Sequence, residues 1–309
     1  MILTITLNPS VDISYKMDKL SLDTVNRVAD VSKTAGGKGL NVSRVIRQLG
    51  EDVAATGFLG GSLGDFIRRS IADQGIHDYF IDVKGDTRNC IAVIHEGQQT
   101  EILEAGPVID ENEAGKFIEK FSADVQKVDY ITISGSLPKG LDNNYYARLV
   151  EIANQYNTPV LLDTKGELLE YTLQNENKPF LIKPNHEELG DLLEENVTND
   201  AQIISALQSE KFSGIPWVVV TAGSAGAFVR FDNNVYRVSI PKVEAVNPVG
   251  SGDAVIAGFA VGLSRGLESK ELIQFGLSMG VLNAMEAKTG SVNPERVNWC
   301  MDRISVEKV

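Results

Sequence analysis

The chain has 309 residues, with 42 acidic and 29 basic side chains and a formal net charge of −13. This acidic balance argues against nucleic-acid or membrane-surface binding, since both depend on distributed basic charge. Cys90 and Cys300 are too few for a disulfide framework or a cysteine-rich metal site, and the three histidines lack metal-ligand spacing. No segment reaches the ~18 consecutive apolar residues of a membrane span. The chain opens on an apolar strand pattern over residues 2–7 rather than on a signal peptide, so we expect a soluble cytoplasmic protein.

Two pairs of short, polar strands are predicted in the first third of the chain. They are residues 11–15 with 25–32, and residues 90–95 with 100–103. The second pair is separated by a hairpin turn at residues 96–99. Because these strands are too short and too polar to be central, we interpret both pairs as an accessory sheet. This lid, drawn from residues 11–32 and 88–104, is expected to cover a crevice.

A glycine-rich turn at residues 36–41 is followed by a helical pattern that ends before Gly50. The turn allows close backbone approach to a ligand at Gly37, with Lys38 as a point charge for phosphate and Asn41 as a partner for sugar hydroxyls. The alternative is a tight turn with no ligand. The turn is not a P-loop, because Lys38 is not followed by Ser or Thr.

Two further glycine runs, residues 57–64 and 223–226, lack the G-x-G-x-x-G spacing of a dinucleotide site. The first predicts a helix over residues 65–74, and the second predicts a hairpin that enters residues 227–231. A dehydrogenase is therefore not favoured.

From residue 128 onward, short apolar runs alternate with helical patterns, which is typical of a parallel α/β sheet. The predicted strands are residues 128–134, 159–163, 179–183 and 217–221. Each ends in polar residues, and the ends of parallel strands meet at one crevice. Strands that simply end in polar turns are the alternative. With no linker, repeat or low-complexity run, we expect residues 1–309 to form a single domain.

Three charged residues near the lid strands are candidates for substrate binding. Arg27 and Arg88 flank the lid and can clamp a phosphate, although a lone arginine is usually a solvated surface residue. Asp12, after the first strand, can accept hydrogen bonds from two sugar hydroxyls, or it caps a turn.

Residues 185–188 begin a helix after the strand that ends at Lys183. Asn185 as N-cap and Glu188 three residues later match a capping box. The functional alternative is that Glu188 helps to hold Mg²⁺ through water while Asn185 and Lys183 reach nucleotide phosphates.

Residues 247–253 form a glycine-rich turn before an apolar helix. The N–H groups of Gly250, Ser251 and Gly252 and the helix dipole suit a phosphate. Asp253 stands beside this site, where a carboxylate repels an anion but can take a proton from an attacking hydroxyl. The pattern indicates phosphoryl transfer to an alcohol.

Three motifs, residues 35–44, Asn185 with Glu188, and residues 250–253, together resemble the PfkB, or ribokinase-like, family of carbohydrate kinases in order and spacing over essentially the whole chain. The segments that resemble the branch acting on ketohexose phosphates are residues 4–12, 87–101, 134–141 and 247–253.

The resemblance implies a ribokinase-like, three-layer α/β/α fold with a mainly parallel central sheet and a small β-sheet lid. It implies ATP, bound with Mg²⁺, as phosphoryl donor to the 1-hydroxyl of a ketohexose 6-phosphate, and it favours D-tagatose 6-phosphate. It also implies a homodimer through the lid. Phosphorylation of fructose phosphates within the same family, and a non-catalytic sugar-phosphate sensor, remain the alternatives.

The resemblance also distributes roles among residues. Asp253 becomes the base, supported by Gly250, Ser251 and Gly252. The sugar-phosphate residues are Asp12, Arg27, Gly37, Lys38, Asn41, Arg88 and Ser136. The nucleotide residues are Lys183, Asn185, Thr221, Gly223, Gly226, Gly252 and Asn283, with Glu188 at the metal through water.

One segment departs from the family pattern. Many members carry Asp-Thr ahead of the Gly-x-Gly-Asp turn, whereas this chain has Asn247-Pro248. Any role of that carboxylate and hydroxyl in monovalent-cation or nucleotide contacts is therefore not carried over, and use of a monovalent cation stays open.

Overall fold

A computed structural model describes residues 1–309. The strands are β1 Ile2–Thr6, β2 Ser10–Lys16, β3 Asp30–Gly36, β4 Val53–Leu59, β5 His77–Asp78, β6 Ile81–Asp82, β7 Arg88–His95, β8 Gln98–Leu103, β9 Tyr130–Ser134, β10 Val160–Asp163, β11 Leu181–Ile182, β12 Trp217–Thr221, β13 Ala227–Phe231, β14 Asn234–Ser239 and β15 Ser305–Lys308. The helices are α1 Lys38–Gln48, α2 Gly61–Asp73, α3 Glu111–Asp124, α4 Tyr145–Gln155, α5 Glu167–Gln174, α6 His186–Leu193, α7 Asp200–Leu207, α8 Ser251–Ser264, α9 Ser269–Ala284 and α10 Val297–Met301. Short 3₁₀ turns connect several of them.

The central sheet has the strand order β15-β14-β13-β12-β11-β10-β9-β1-β4-β5, with β6 also paired to β4. All pairs from β12 to β5 and β6 are parallel, and β13, β14 and β15 are antiparallel. Strands β1, β4 and β10 are buried along their whole length, as expected for strands covered on both faces. The predicted mainly parallel sheet is confirmed.

Helices cover both faces of this sheet and divide the core in two. One hydrophobic cluster joins the sheet to α1, α2, α8, α9 and α10, and the other joins it to α3 through α7. The three-layer α/β/α arrangement predicted from the sequence is therefore confirmed. No helix is long and apolar enough to cross a membrane.

The chain reverses its direction of winding beside β1. From β1 it proceeds to β4 on one side, and it later returns to β9 on the other side and continues to β12. Such a switch point leaves a crevice beyond the carboxyl ends of the strands, because the two flanking connections leave on opposite faces. The site must therefore be sought above β1, β9 and their neighbours.

A separate four-stranded sheet, with order β3-β2-β7-β8, forms the predicted lid. Strands β7 and β8 form a hairpin whose two-residue loop, Glu96 and Gly97, has positive φ at both positions, as a type I′ turn requires. The strand predicted over residues 25–32 is misplaced, since β3 spans Asp30–Gly36. Residues 17–29 form a loop held by hydrogen bonds between Ser21 and Asn26, which remove this segment from strand pairing.

The remaining elements follow the sequence with shifted ends. Helix α2 begins at Gly61 instead of residue 65, and β11 is limited to Leu181–Ile182. The run at residues 223–226 enters the β13–β14 hairpin as predicted. That residues 1–309 form one domain stays a prediction.

Helix α8 packs on the central sheet through an aromatic contact whose contribution to the free energy of unfolding can be measured. Phe259 is fully buried, with its ring centroid 6.1 Å from that of Trp217, which stacks on Phe231. We expect Phe259→Ala to lower the free energy of unfolding by about 3–5 kcal/mol, because it leaves a cavity between helix and sheet. Chemical denaturation measures the effect. The matched control Tyr171→Ala, whose ring is 47% exposed, should change it by less than about 0.5 kcal/mol, and equal losses would contradict the packing described.

Candidate active site

A cleft of about 1930 Å³ lies between the lid and the carboxyl ends of the parallel strands. Most residues predicted for the site line it. They are Asp12, Gly37, Lys38, Asn41, Arg88, Ser136, Lys183, Asn185, Glu188, Thr221, Gly223, Gly226, Gly250, Ser251, Gly252 and Asp253. Arg27 and Asn283 are not among the lining residues. The sequence motifs, dispersed over 240 positions, therefore converge on one cleft.

The glycine-rich turn before α8 presents free backbone donors. Gly250 is the N-cap with φ +82°, a conformation suited to glycine, and a Cβ there would approach Thr289 to 2.7 Å. The N–H groups of Gly250, Gly252 and Asp253 have no acceptor within the chain. The N–H of Ser251, which we expected to be a free donor, instead donates to the Pro248 carbonyl at 3.2 Å. The free backbone donors of the turn are therefore those of Gly250, Gly252 and Asp253.

Asn283, which we expected among the nucleotide residues, lies behind this turn and holds it in place. Its side chain is fully buried, and its Nδ2 donates to the Val249 carbonyl at 2.9 Å and to Ser251 Oγ at 3.3 Å. Its Oδ1 accepts from the N–H groups of Gly290 and Ser291. With its hydrogen-bonding capacity used inside the protein, Asn283 is a support of the glycine turn.

Asp253 is 5% exposed and accepts a hydrogen bond from Asn41 Nδ2 at 2.7 Å. Burial raises the pKa of its carboxyl to about 6, helped by the negative charge of Asp163 and opposed by Lys38, Asn41 and Lys183. A carboxyl group with a pKa in this range changes protonation state close to neutrality, which suits a general base. The chemistry expected of Asp253 is thus supported by its surroundings.

Asp163 ends the predicted strand 159–163 and was therefore expected at the crevice, but the sequence pattern assigned it no role. It is 2% exposed at the end of β10, with its carboxylate 3.2 Å from Lys183 Nζ and 3.7 Å from Lys38 Nζ. Burial raises its pKa, but the two ammonium groups outweigh burial and hold the pKa of Asp163 below its usual value. In turn Asp163 raises the pKa of Lys38. Its position at a strand end was the available signal, but nothing in the sequence indicates that two lysines converge on it.

At the other end of the cleft, Asp12 and Arg88 lie on neighbouring lid strands. The Asp12 carboxylate packs directly on Gly36, where a Cβ would lie 2.0 Å from it, and it accepts a hydrogen bond from Ser10 Oγ at 2.6 Å. Arg88 donates to the backbone carbonyls of Asn8 and Glu104, both at 3.0 Å. Carbonyls do not neutralise a guanidinium, so Arg88 keeps its charge for an anion.

Helix α1 begins in the same region and adds a second set of donors. The N–H groups of Lys38 and Gly39 have no acceptor within the chain, whereas those of Leu40 and Asn41 bond to the Gly37 carbonyl. A helix N-terminus with a lysine on its first turn favours an anion. Arg27, in contrast, is exposed in the loop between β2 and β3 and does not reach the cleft of its own chain.

The residues expected at the nucleotide lie together near the ends of β11 and β12. Asn185 and Glu188 form the predicted capping box, at 2.8 and 3.0 Å, and Asn185 bridges to Thr221. Lys183 is 5% exposed, and its ammonium lies 3.1 Å from the position that a Cβ on Gly252 would take. A positive charge is therefore present next to the free N–H groups of the glycine turn.

The structure contains no group of three or more His, Cys, Asp or Glu side chains able to hold a metal ion. One carboxylate oxygen of Glu188 is used in the capping box, which leaves the other for a water or a cation. This donor set fits Mg²⁺, which commonly takes one or two carboxylates and completes its shell with waters and substrate phosphates.

A buried carboxylate beside unpaired helix N–H groups and two lysines, on a three-layer α/β/α fold with a lid, defines a phosphotransferase that acts on an alcohol. Comparison with known families agrees: residues 5–296 match the model of the pfkB family carbohydrate kinases. The chain belongs to this family.

Individual relatives are similar over their full length. The tagatose-6-phosphate kinase of Staphylococcus epidermidis is 48% identical over 310 residues, covering 100% of both chains. Among solved structures, phosphofructokinase-2 of Escherichia coli in complex with potassium has a TM-score of 0.89 and 26% identity, covering 97% of this chain and 98% of that chain. The same enzyme in complex with fructose-6-phosphate has a TM-score of 0.87 and 25% identity, with the same coverage.

The raised pKa of Asp253 predicts a cost in stability. Between pH 4 and 6 the folded protein keeps a proton that the unfolded chain, with a pKa of 3.8, releases, so stability falls as pH rises through this window. We expect Asp253→Asn to abolish this loss and to be more stable than the wild type at pH 7 by roughly 2–3 kcal/mol. Denaturant unfolding from pH 4 to 7 measures it. Asp302→Asn, an exposed carboxylate, is the control, and identical pH slopes for wild type and Asp253→Asn would contradict the prediction.

Proposed function

We propose that the protein transfers the γ-phosphoryl group of ATP to the 1-hydroxyl of D-tagatose 6-phosphate, giving the 1,6-bisphosphate and ADP. The observation that carries the reaction class is the pairing of the buried Asp253 with the free N–H groups of the turn before α8. The observation that favours the sugar is 48% identity, over the whole chain, to a relative named tagatose-6-phosphate kinase.

In the proposed reaction, Asp253 removes the proton of the 1-hydroxyl as its oxygen attacks the γ-phosphorus. Asn41 holds the carboxylate through the 2.7 Å hydrogen bond. The N–H groups of Gly250 and Gly252, with the ammonium of Lys183, stabilise the charge that develops on the transferring phosphoryl group. Preorganised donors of this kind contribute most in a cleft from which water is excluded.

The opposite end of the cleft takes the 6-phosphate. Arg88, on the lid, supplies positive charge there, and Asp12 accepts hydrogen bonds from sugar hydroxyls. Lys38, which we expected at this phosphate, has its ammonium 3.7 Å from Asp163, the partner of Lys183, and so lies near the transferring phosphoryl group. Gly37 lines the cleft, where its φ of +105° and its packing on Thr6 require a glycine, and Ser136 lies on the cleft wall as a further hydroxyl partner. Two phosphate subsites separated by one sugar are the arrangement that a bisphosphate product requires.

The nucleotide lies along Lys183, Asn185, Thr221, Gly223 and Gly226 in this proposal, because these residues line the cleft beside the glycine turn. Mg²⁺, when bound, would neutralise charge on the ATP phosphates, and Glu188 is the residue that would hold it through water. The role of Asn185 and Glu188 in capping α6 does not exclude this use, since one Glu188 oxygen is left over.

Activation by a monovalent cation is compatible with the proposal. In this chain, however, position 247 is an asparagine and offers the cation no carboxylate. A potassium complex is named for the Escherichia coli relative. In this chain the neutral Asn247 side chain accepts from the Val249 N–H and donates to Thr289 Oγ1 and the Ala287 carbonyl, so its polar atoms are already engaged.

Phosphorylation of fructose 6-phosphate is the second candidate, favoured by the likeness to a phosphofructokinase-2 crystallised with that sugar phosphate. The two ketohexose phosphates differ at the C4 hydroxyl, and a single contact need not discriminate strongly. A non-catalytic sensor is disfavoured, because a binder of phosphate gains nothing from a base beside its anion site.

Steady-state kinetics test the proposal. We expect kcat/KM to be highest for D-tagatose 6-phosphate when it is compared with fructose 6-phosphate and fructose 1-phosphate in the presence of ATP and Mg²⁺. Asp253→Asn should keep the affinity for both substrates and lose roughly 10²–10⁴ in turnover, the usual share of a general base. A higher kcat/KM for a fructose phosphate would contradict the proposed sugar substrate. Near-normal turnover of Asp253→Asn would contradict the assignment of Asp253 as the general base.

We further propose a homodimer through the lid. The apolar side chains Val31 and Ile102 on the lid strands are 42% and 56% exposed, and every residue of the edge strand β8 is exposed. An exposed edge with apolar side chains is unusual unless a partner covers it.

Sedimentation of a charged variant tests the dimer. We expect the wild type to sediment as a dimer and Ile102→Lys to shift it towards the monomer, because burying an unpaired ammonium in the contact is costly. The control Tyr171→Lys places the same charge on α5, away from the lid, and should leave the dimer intact. A monomeric wild type, or an unaffected Ile102→Lys, would contradict the proposed interface.

A further inference from the structure

The side chain of Asn41 is already committed before any sugar binds. Its Nδ2 donates to Asp253 Oδ2 at 2.7 Å, and its Oδ1 accepts from the guanidinium of Arg44. Asn41 is 6% exposed, so little of it is left for solvent or ligand. The residue expected to bind a sugar hydroxyl is thus, in the first place, a link between an arginine and the base.

An amide can turn either end towards a neighbour, and only one end suits a carboxylate. The NH₂ group donates, whereas the oxygen accepts and would repel Asp253. Arg44 is a donor with no acceptor capacity, so its contact fixes the oxygen of Asn41 on its own side. The NH₂ group is thereby directed at Asp253.

Arg44 is itself fixed by backbone carbonyls from two other segments. Its Nη1 donates to the Ala35 carbonyl at 2.6 Å, near the end of lid strand β3, and its Nη2 donates to the Thr289 carbonyl at 3.3 Å. Thr289 lies in the loop after α9, and its Oγ1 accepts a hydrogen bond from Asn247. Arg44 therefore joins the lid, the helix that carries Asn41, and the loop that supports the glycine turn.

We propose that Arg44 is a positioning residue for proton transfer: it locks the Asn41 amide with its donor end on Asp253 and so aims the base. The proposal rests on the proposed function of Asp253. Arg44 is one of the residues that line the cleft, but in this proposal it acts on the base through Asn41 and not by contact with the reacting groups.

Other charges face Asp253 as well and must be held constant in a test. Lys38 on α1, Lys183 after β11 and Asp163 at the end of β10 all act on its carboxyl, and Arg44 interacts with both Asp253 and Asp12 on β2. An effect of Arg44 through its charge alone must therefore be separated from an effect through Asn41. A double-mutant cycle provides this separation.

The cycle compares wild type, Arg44→Met, Asn41→Leu and the double variant. We expect Arg44→Met to lower kcat about tenfold or more while the KM for ATP changes less than about threefold. In the Asn41→Leu background the same change should have less than about half of its effect on log kcat, since the link is already broken. Arg47→Met, an exposed arginine one turn along α1, should leave both parameters unchanged.

A second readout does not depend on activity. The carboxyl of Asp253 is titrated by NMR of ¹³C-labelled aspartate, with Asp253→Asn used for assignment. We expect Arg44→Met to move the midpoint upward by about one pH unit, because the carboxylate loses a fixed donor and a nearby positive charge. Arg44→Lys keeps the positive charge but lacks the planar guanidinium with its several N–H donors. It should therefore move the Asp253 midpoint less than Arg44→Met does and still lower kcat. This variant replaces Arg44→Met throughout if Arg44→Met does not fold.

Additive effects of the two substitutions on kcat, or an unchanged Asp253 midpoint in the Arg44 variants, would overturn the proposal. A wild type inactive on every ketohexose phosphate would instead remove the proposed function, while the titration would still report whether Arg44 acts on Asp253 through Asn41. The proposal is supported if the Arg44 substitution lowers kcat less in the Asn41→Leu background than in the wild type, and if it also shifts the titration midpoint of Asp253.

Discussion

The site depends on one buried electrostatic arrangement, in which the Asp163 carboxylate lies between the ammonium groups of Lys183 and Lys38. Lysines are rarely buried without a counter-ion, because removing a charge from water costs several kcal/mol. Asp163 supplies that counter-ion for Lys183, which is 5% exposed. The side chain of Lys38, at the start of α1, is 44% exposed, and its ammonium lies 3.7 Å from the same carboxylate. One carboxylate thereby holds a basic group from α1 and a basic group from the end of β11 side by side.

The same carboxylate affects the base. Asp163 and Asp253 are both almost fully buried and of the same sign, so Asp253 resists ionisation more than burial alone would require. The lysines and Asn41 act in the opposite direction. The protonation of Asp253 therefore depends on a balance between groups delivered by α1, β10 and β11, three elements that meet only in the folded chain.

The sequence allowed the fold to be predicted well, because the strands of a parallel sheet are continuous apolar runs and their ends carry recognisable polar residues. It placed Asp253, Lys183 and Lys38 at one cleft for the same reason. It did not predict that the Ser251 N–H is used by the Pro248 carbonyl, or that Asn283 faces inward. Those outcomes depend on the φ of Gly250 and on the path of the loop after α9, which pattern and spacing do not encode. The error in β3 arose similarly, since hydrogen bonds within residues 17–29 compete with strand pairing.

Strand β3 is joined to helix α1 by Gly37 alone. That junction constrains how the substrate range of this enzyme can evolve. The Asp12 pocket rests on Gly36, and Arg44 spans the junction by holding the Ala35 carbonyl. Remodelling the lid to admit a different sugar phosphate therefore displaces groups that also orient Asp253. Substrate range and proton transfer share one stretch of backbone, so in this scaffold altered selectivity is expected to arrive with altered turnover, and restoration of the latter requires compensating substitutions on α1.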